Sequence, residues 1–199
     1  MKKFLLLCFL LALFSFIHTS SLTDAERKFA MDHLKQTQAD LMAAVQGLSD
    51  AQLHFKSAPD RWSILECVQH ITLASESLWE DQQAIMKMRN DSNWATTKSD
   101  EAVITMLEDR THKAQAPEPI KPVHSPYKTL EKTLRAFNKD RDQLIDYVRT
   151  SKDDMRAHVV KTPTDVFDCY QYILIISAHT NRHTQQINEV KADPNFPKQ

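Results

Sequence analysis

Residues 167–190 read FDCYQYILIISAHTNRHTQQINEV, and this stretch decides the fold. Stepping through it by three or four residues picks out Tyr172, Ile176, His179, His183, Ile187 and Val190, the stripe that one face of a helix turns toward a core. Pro163 precedes the stretch and Pro194 and Pro197 follow it, so the spacing predicts a helix from about Phe167 to Val190. Two histidines fill successive slots of that apolar stripe. A ring buried without partners leaves its nitrogens desolvated, at a cost of a few kcal/mol. An i, i+4 pair puts both imidazoles on one side of a helix, close enough to hold one metal ion at nitrogen distances near ~2.1 Å. Alone, such a pair more often marks core histidines bonded to backbone or hydroxyls.

Three further amphipathic segments lie upstream. The first is predicted to start at Thr23, with Glu26 completing a capping box, and carries Ala30, Leu34, Thr37, Leu41, Val45 and Leu48. Ser49 and Gln52 repeat the capping logic for a short turn before Pro59. The second opens at Ser63, again with a glutamate three residues on, and presents Ile64, Val68, Ile71, Ser75, Leu78 and Ile85 as far as about Met88, where Asn90 and Asp91 end it. A long connection follows to Ser125. It contains a short helical pattern around Val103, Ile104 and Leu107, then Pro117, Pro119 and Pro122, too closely spaced for helix. Pro126 suits the first position of the third helix, with core residues Leu130, Leu134, Phe137, Leu144, Ile145 and Val148. The expectation is an all-α four-helix bundle with a crossover between helices 2 and 3.

Composition supports this and excludes much else. A single glycine, Gly47, argues against hairpin-rich β architecture and against glycine-rich phosphate loops. With 25 basic and 26 acidic residues the chain is nearly neutral, so no nucleic acid partner is expected. At 199 residues, 42% hydrophobic, it can build one ordinary core.

The N-terminus has a different pattern. Lys2 and Lys3 precede an apolar run from Phe4 to Ile17, followed by Thr19, Ser20 and Ser21, the layout of a signal peptide. The run is shorter than the roughly 20 residues of a spanning helix. Residues 1–21 are therefore expected to be an export signal and 22–199 the bundle domain, with no membrane span after cleavage and a periplasmic or extracellular location. Leu5-Leu6-Leu7-Cys8 is a poor lipidation box, because almost no apolar residue precedes its cysteine. Cys67 and Cys169 would then be the only cysteines, too few for a disulfide framework.

His70 strengthens the metal reading. It flanks the stripe of the second helix beside Ala74, seven residues or roughly 10 Å from that helix's start. His183 lies seven residues from the end of the fourth. Were these two helices antiparallel, His70, His179 and His183 would reach the same depth, and the long crossover permits that arrangement. Three neutral nitrogen ligands leave a coordination position open, as in catalytic rather than structural zinc sites. Imidazole suits zinc, nickel, copper and iron; one divalent ion, zinc or nickel first, is the expected cofactor. Glu66, one turn before His70, is the nearest candidate general base, although it serves equally well as the capping partner of Ser63. Gln186 would orient a ligand or substrate, or simply face solvent. Cys67 reads as a small buried hydrophobe. Histidines 33, 54, 112, 124 and 158 read as surface residues.

Arg61-Trp62-Ser63-Ile64 leading to Cys67-Val68-Gln69-His70-Ile71, together with Ala178-His179-Thr180-Asn181-Arg182-His183-Thr184-Gln185-Gln186-Ile187, resembles the DinB superfamily of proposed metalloenzymes, also called DinB/YfiT-like. Asp109-Arg110-Thr111, the Ala116-Pro117-Glu118-Pro119 linker and Asp193-Pro194-Asn195-Phe196-Pro197 extend the likeness over most of the mature chain. The resemblance implies an up-down-down-up bundle with a three-histidine metal site whose ligand positions match His70, His179 and His183. It does not fix the chemistry, since relatives include thiol-dependent transferases and isomerases as well as metal-dependent hydrolases. The reading that follows is a metal-dependent enzyme of the cell envelope, a hydrolase or group transferase acting on a small molecule. The alternatives are a thiol-dependent S-transferase, which an export signal disfavours because low-molecular-weight thiols are chiefly cytoplasmic, and a non-catalytic metal-binding module. An extended apolar face on the first or third helix would serve to pair two copies as a homodimer.

Overall fold

Capping side chains set where the helices begin. In the computed structural model, which describes residues 22–88 and 94–198, Thr23, Ser49 and Ser63 each close a reciprocal capping box with Glu26, Gln52 and Glu66. Each such cap is worth about 1 kcal/mol. The expected leader at 1–21 and the expected stop at Asn90 and Asp91 lie outside the described residues. In chain order the elements are α1 (Asp24–Val45), α2 (Asp50–His54), α3 (Ile64–Met86), α4 (Asp100–Glu108), two short 3₁₀ turns at Glu118–Ile120 and Pro122–His124, α5 (Leu130–Thr150), β1 (Val159–Lys161), β2 (Val166–Asp168) and α6 (Cys169–Lys191). Among the described residues no helix is long and apolar enough to cross a membrane.

The long helices α1, α3, α5 and α6 form an up-down-down-up bundle. Tyr170 donates to the Glu26 carbonyl, Ser177 meets Thr37, and Lys191 donates to the Ala44 carbonyl, so α1 and α6 run parallel. Arg27 reaches the carbonyls of Val148 and Ser151 while Gln38 reaches Asn138, so α5 runs against α1. His70 near the start of α3 touches His183 near the end of α6, which makes that pair antiparallel. Both α1 and α3 pack on α5 and α6, so α1 lies diagonally across the bundle from α3, and α5 from α6. The helix α4, inside the crossover, packs on α6.

Two apolar clusters fill the interior. One gathers Leu41, Val45, Ile64, Val68, Ile71, Phe137 and Ile187, and the other Leu34, Leu144, Val148, Tyr170, Ile173 and Ile176. Between them runs a buried polar belt of Thr37, Arg141, Ser177 and Thr180.

Three details differ from the sequence reading. The third bundle helix starts at Leu130, capped by Thr129, and not at Pro126, because the Ser125 hydroxyl accepts from the Tyr127 N–H and holds that segment in a turn. The fourth starts at Cys169 with Asp168 as its cap, and Phe167 belongs to β2. The β1–β2 hairpin forms without glycine. Its turn is closed by Thr162, whose N–H and hydroxyl both donate to the Asp165 carbonyl and whose Oγ accepts the Asp165 N–H.

Candidate metal centre

The apolar stripe of α6 turns His179 and His183 inward, and antiparallel α3 brings His70 to meet them. Ring centroids are 5.0 Å apart for His70–His179, 4.5 Å for His70–His183 and 4.5 Å for His179–His183. One ring nitrogen from each lies within 4.8 Å of the others, and among the described residues this set includes no carboxylate or thiol. His70 and His183 are buried at 2% and 8% exposure, whereas His179 keeps part of its surface open. Trp62 closes one side, its ring centroid 4.7 Å from that of His70 and 6.1 Å from that of His183.

The hydrogen bonds around the rings determine which nitrogens are available. His70 Nδ1 lies 2.8 Å from the Ile120 carbonyl, which only accepts, so Nδ1 carries the hydrogen and Nε2 keeps its lone pair. His183 Nδ1 lies 2.9 Å from Gln186 Oε1, and its Nε2 is 3.2 Å from Nε2 of His179. Two lone pairs at that separation repel unless a proton or a cation lies between them. Ligands about 2.1 Å from a tetrahedral ion sit about 3.4 Å apart, so the spacing fits a shared divalent ion. The protein supplies neutral rings for it. Burial first, then the neighbouring His70 and Arg182, push His179 down to about 3. Burial followed by His179 and His70 pushes His183 to about 2. Burial lowers His70 as well, against the pull of the Ile120 carbonyl.

Glu66 stands apart from this set. One carboxylate oxygen accepts the Ser63 N–H at 2.8 Å and the other pairs with Lys56 at 2.8 Å, completing the helix cap. It lines a cleft of about 240 Å³ shared with Trp62, Lys121 and Val123. Cys67 is fully buried, and burial pushes its thiol up to about 12. His54, His112 and His124 are exposed as expected. His33 and His158 are not. His33 is half-buried between Ser177 of α6 (2.7 Å) and Glu108 at the end of α4 (3.4 Å), and His158 bonds the Ile85 carbonyl.

Sequence reasoning missed the groups that support the rings. Ile120 acts through its backbone, which leaves no side-chain signal. Arg110 donates to Gln186 Oε1 at 3.4 Å and forks onto Glu189 at 3.0 and 2.7 Å. Arg182 binds the carbonyls of Leu107, Asp109 and His112, clamping the crossover onto α6. The Asp109-Arg110-Thr111 run was the available signal for this contact.

Comparison with known proteins agrees with the geometry. The uncharacterized protein YuaE of Bacillus subtilis (strain 168) is 26% identical over 149 residues, 74% of this chain and 88% of that protein. YfiT from Bacillus subtilis, described as a probable metal-dependent hydrolase with an unusual four-helix bundle topology, shares the fold at a TM-score of 0.61 and 14% identity, over 89% of this chain and 92% of that one. The DinB superfamily model matches residues 33–187, from within α1 to the last turns of α6 and through every bundle helix, and the chain belongs to that superfamily.

Proposed function

We propose that this protein is a metal-dependent enzyme that binds one divalent ion, zinc or nickel, through His70, His179 and His183 and carries out hydrolysis or group transfer on a small molecule. The observation that carries the reading is the commitment of Nδ1 on His70 and His183 to oxygen acceptors, which leaves Nε2 of both rings free beside Nε2 of His179. A divalent ion held by such a set supplies a Lewis acid that polarises a carbonyl or acidifies a water. The chain's own groups prepare for it. Trp62 keeps water from two of the rings, while the open side of His179 gives a substrate its approach. The description of YfiT as a probable metal-dependent hydrolase supports the reaction class. Glu66 enters this reading as cap and ion-pair partner rather than as base. The dibasic start and apolar run of residues 1–21 support export to the cell envelope.

Untagged protein, metal-loaded or stripped, is assayed on a panel of esters, amides and electrophiles with and without an added thiol. Turnover that needs metal and disappears in His179→Ala supports the proposal, and a strict thiol requirement moves it to S-transfer. If metal raises the melting temperature but supports no turnover in any arm, the site is structural and the enzymatic reading falls.

A further inference from the structure

We infer that Arg110, on the crossover, is a positioning residue for the histidine site: acting through Gln186, it determines which nitrogen of His183 carries the proton. The inference rests on the metal site proposed above and gives the crossover a part in it. Gln186 sits three residues beyond His183 on α6, with Oε1 2.9 Å from Nδ1. An amide has two ends of nearly the same shape. With the NH₂ end toward the ring, Nδ1 would have to accept, and the ring hydrogen would move to Nε2, the nitrogen that faces His179.

Arg110 removes that freedom. Its Nη1 donates to the same Oε1 at 3.4 Å, and a guanidinium has no acceptor, so a flipped amide would set N–H against N–H. The guanidinium is itself held in place, because Nε and Nη2 grip the two oxygens of Glu189 at 3.0 and 2.7 Å and the side chain is only 16% exposed. Glu189 therefore fixes Arg110, Arg110 fixes the oxygen of Gln186, and that oxygen keeps the hydrogen on Nδ1. The lone pair of His183 Nε2 is left facing the other two rings. His70 reaches the same state through a backbone carbonyl, which cannot flip.

The test uses the full chain and zinc as probe. Long-range ¹H–¹⁵N spectra of the metal-free protein report the His183 tautomer, and competition with a chelator reports zinc affinity. Arg110→Met is expected to give a mixed tautomer and zinc binding weakened about 10-fold. A carboxylate presents an acceptor whichever way it turns, so adding Gln186→Glu to Arg110→Met should restore both the single tautomer and the affinity. An unchanged tautomer in Arg110→Met, or no rescue in the double variant, overturns the inference. Should the wild type fail to bind zinc while its tautomer still depends on Arg110, the metal reading fails and the positioning role stands.

Discussion

His70 Nδ1 lies 2.8 Å from the carbonyl oxygen of Ile120, so the ring of one bundle helix is oriented by the backbone of the crossover. Ile120 ends the first of two 3₁₀ turns, directly after Pro119, whose fixed φ limits the positions the carbonyl can take. A connection that reads as a spacer thus forms part of the site.

Acid should destabilise the metal-free protein. Burial depresses the folded-state pKa of His33, His70, His179 and His183 below the ordinary 6.5. The unfolded chain then binds protons that the folded chain refuses, so stability is full above about pH 6.5 and falls as pH drops toward the folded values. Between pH 8 and pH 5 the loss should be about 2 kcal/mol for each of His179 and His183. Urea unfolding of metal-free protein at the two pH values measures it, and a flat profile would contradict burial of these rings in neutral form.

Arg141 presents the opposite case, a charge buried at 2% exposure with no carboxylate partner among the described residues. Burial lowers its pKa, and its guanidinium rests on oxygens of Leu34, Thr37 and Thr180 and on the Phe137 ring. Without it, Thr37 still donates to the Leu34 carbonyl and Thr180 to that of Ile176. Arg141→Met should therefore stay within about 1.5 kcal/mol of wild type or gain stability, whereas Arg141→Ala leaves a cavity costing about 2–4 kcal/mol. Denaturant midpoints decide, and a loss above about 3 kcal/mol for methionine would show that the charge itself is needed.

Arg156 should behave differently because three carboxylates converge on it. Glu26, Asp100 and Asp168 lie at 2.7, 2.6 and 2.8 Å, tying α1, α4 and the start of α6 to one guanidinium that also stacks on Tyr170. Arg156→Met strands Asp168, which is only 3% exposed. The expected cost is about 2–4 kcal/mol, at the low end because the arginine side chain is 31% exposed. Thermal melts should fall by roughly 5–10 °C, and an unchanged melting temperature would show the cluster to be solvated decoration.

The four bundle helices were legible from their hydrophobic period, and α1 and α3 also from the capping boxes at Thr23 and Ser63. The cluster of His70, His179 and His183 was legible because two of the three interrupt an apolar stripe where nothing else polar repeats. Helix starts at Leu130 and Cys169 were not, since Pro126 and Phe167 suit a first turn locally and only the hydrogen bonds of Ser125 and Asp168 settle the matter. The hairpin escaped notice because its turn is built from threonine hydroxyls in place of glycine. The half-buried state of His33 depends on Ser177 of α6 and Glu108 at the end of α4 reaching its ring, and a single helix's pattern carries no record of its neighbours.

Elemental analysis of untagged protein, comparing wild type, His179→Ala and the exposed-site control His54→Ala, tests the metal site most directly. The geometry predicts one divalent ion per chain in wild type and His54→Ala and a large loss in His179→Ala. Equal metal content in wild type and His179→Ala, or no bound metal in the wild type after equilibration with zinc and nickel, would contradict it.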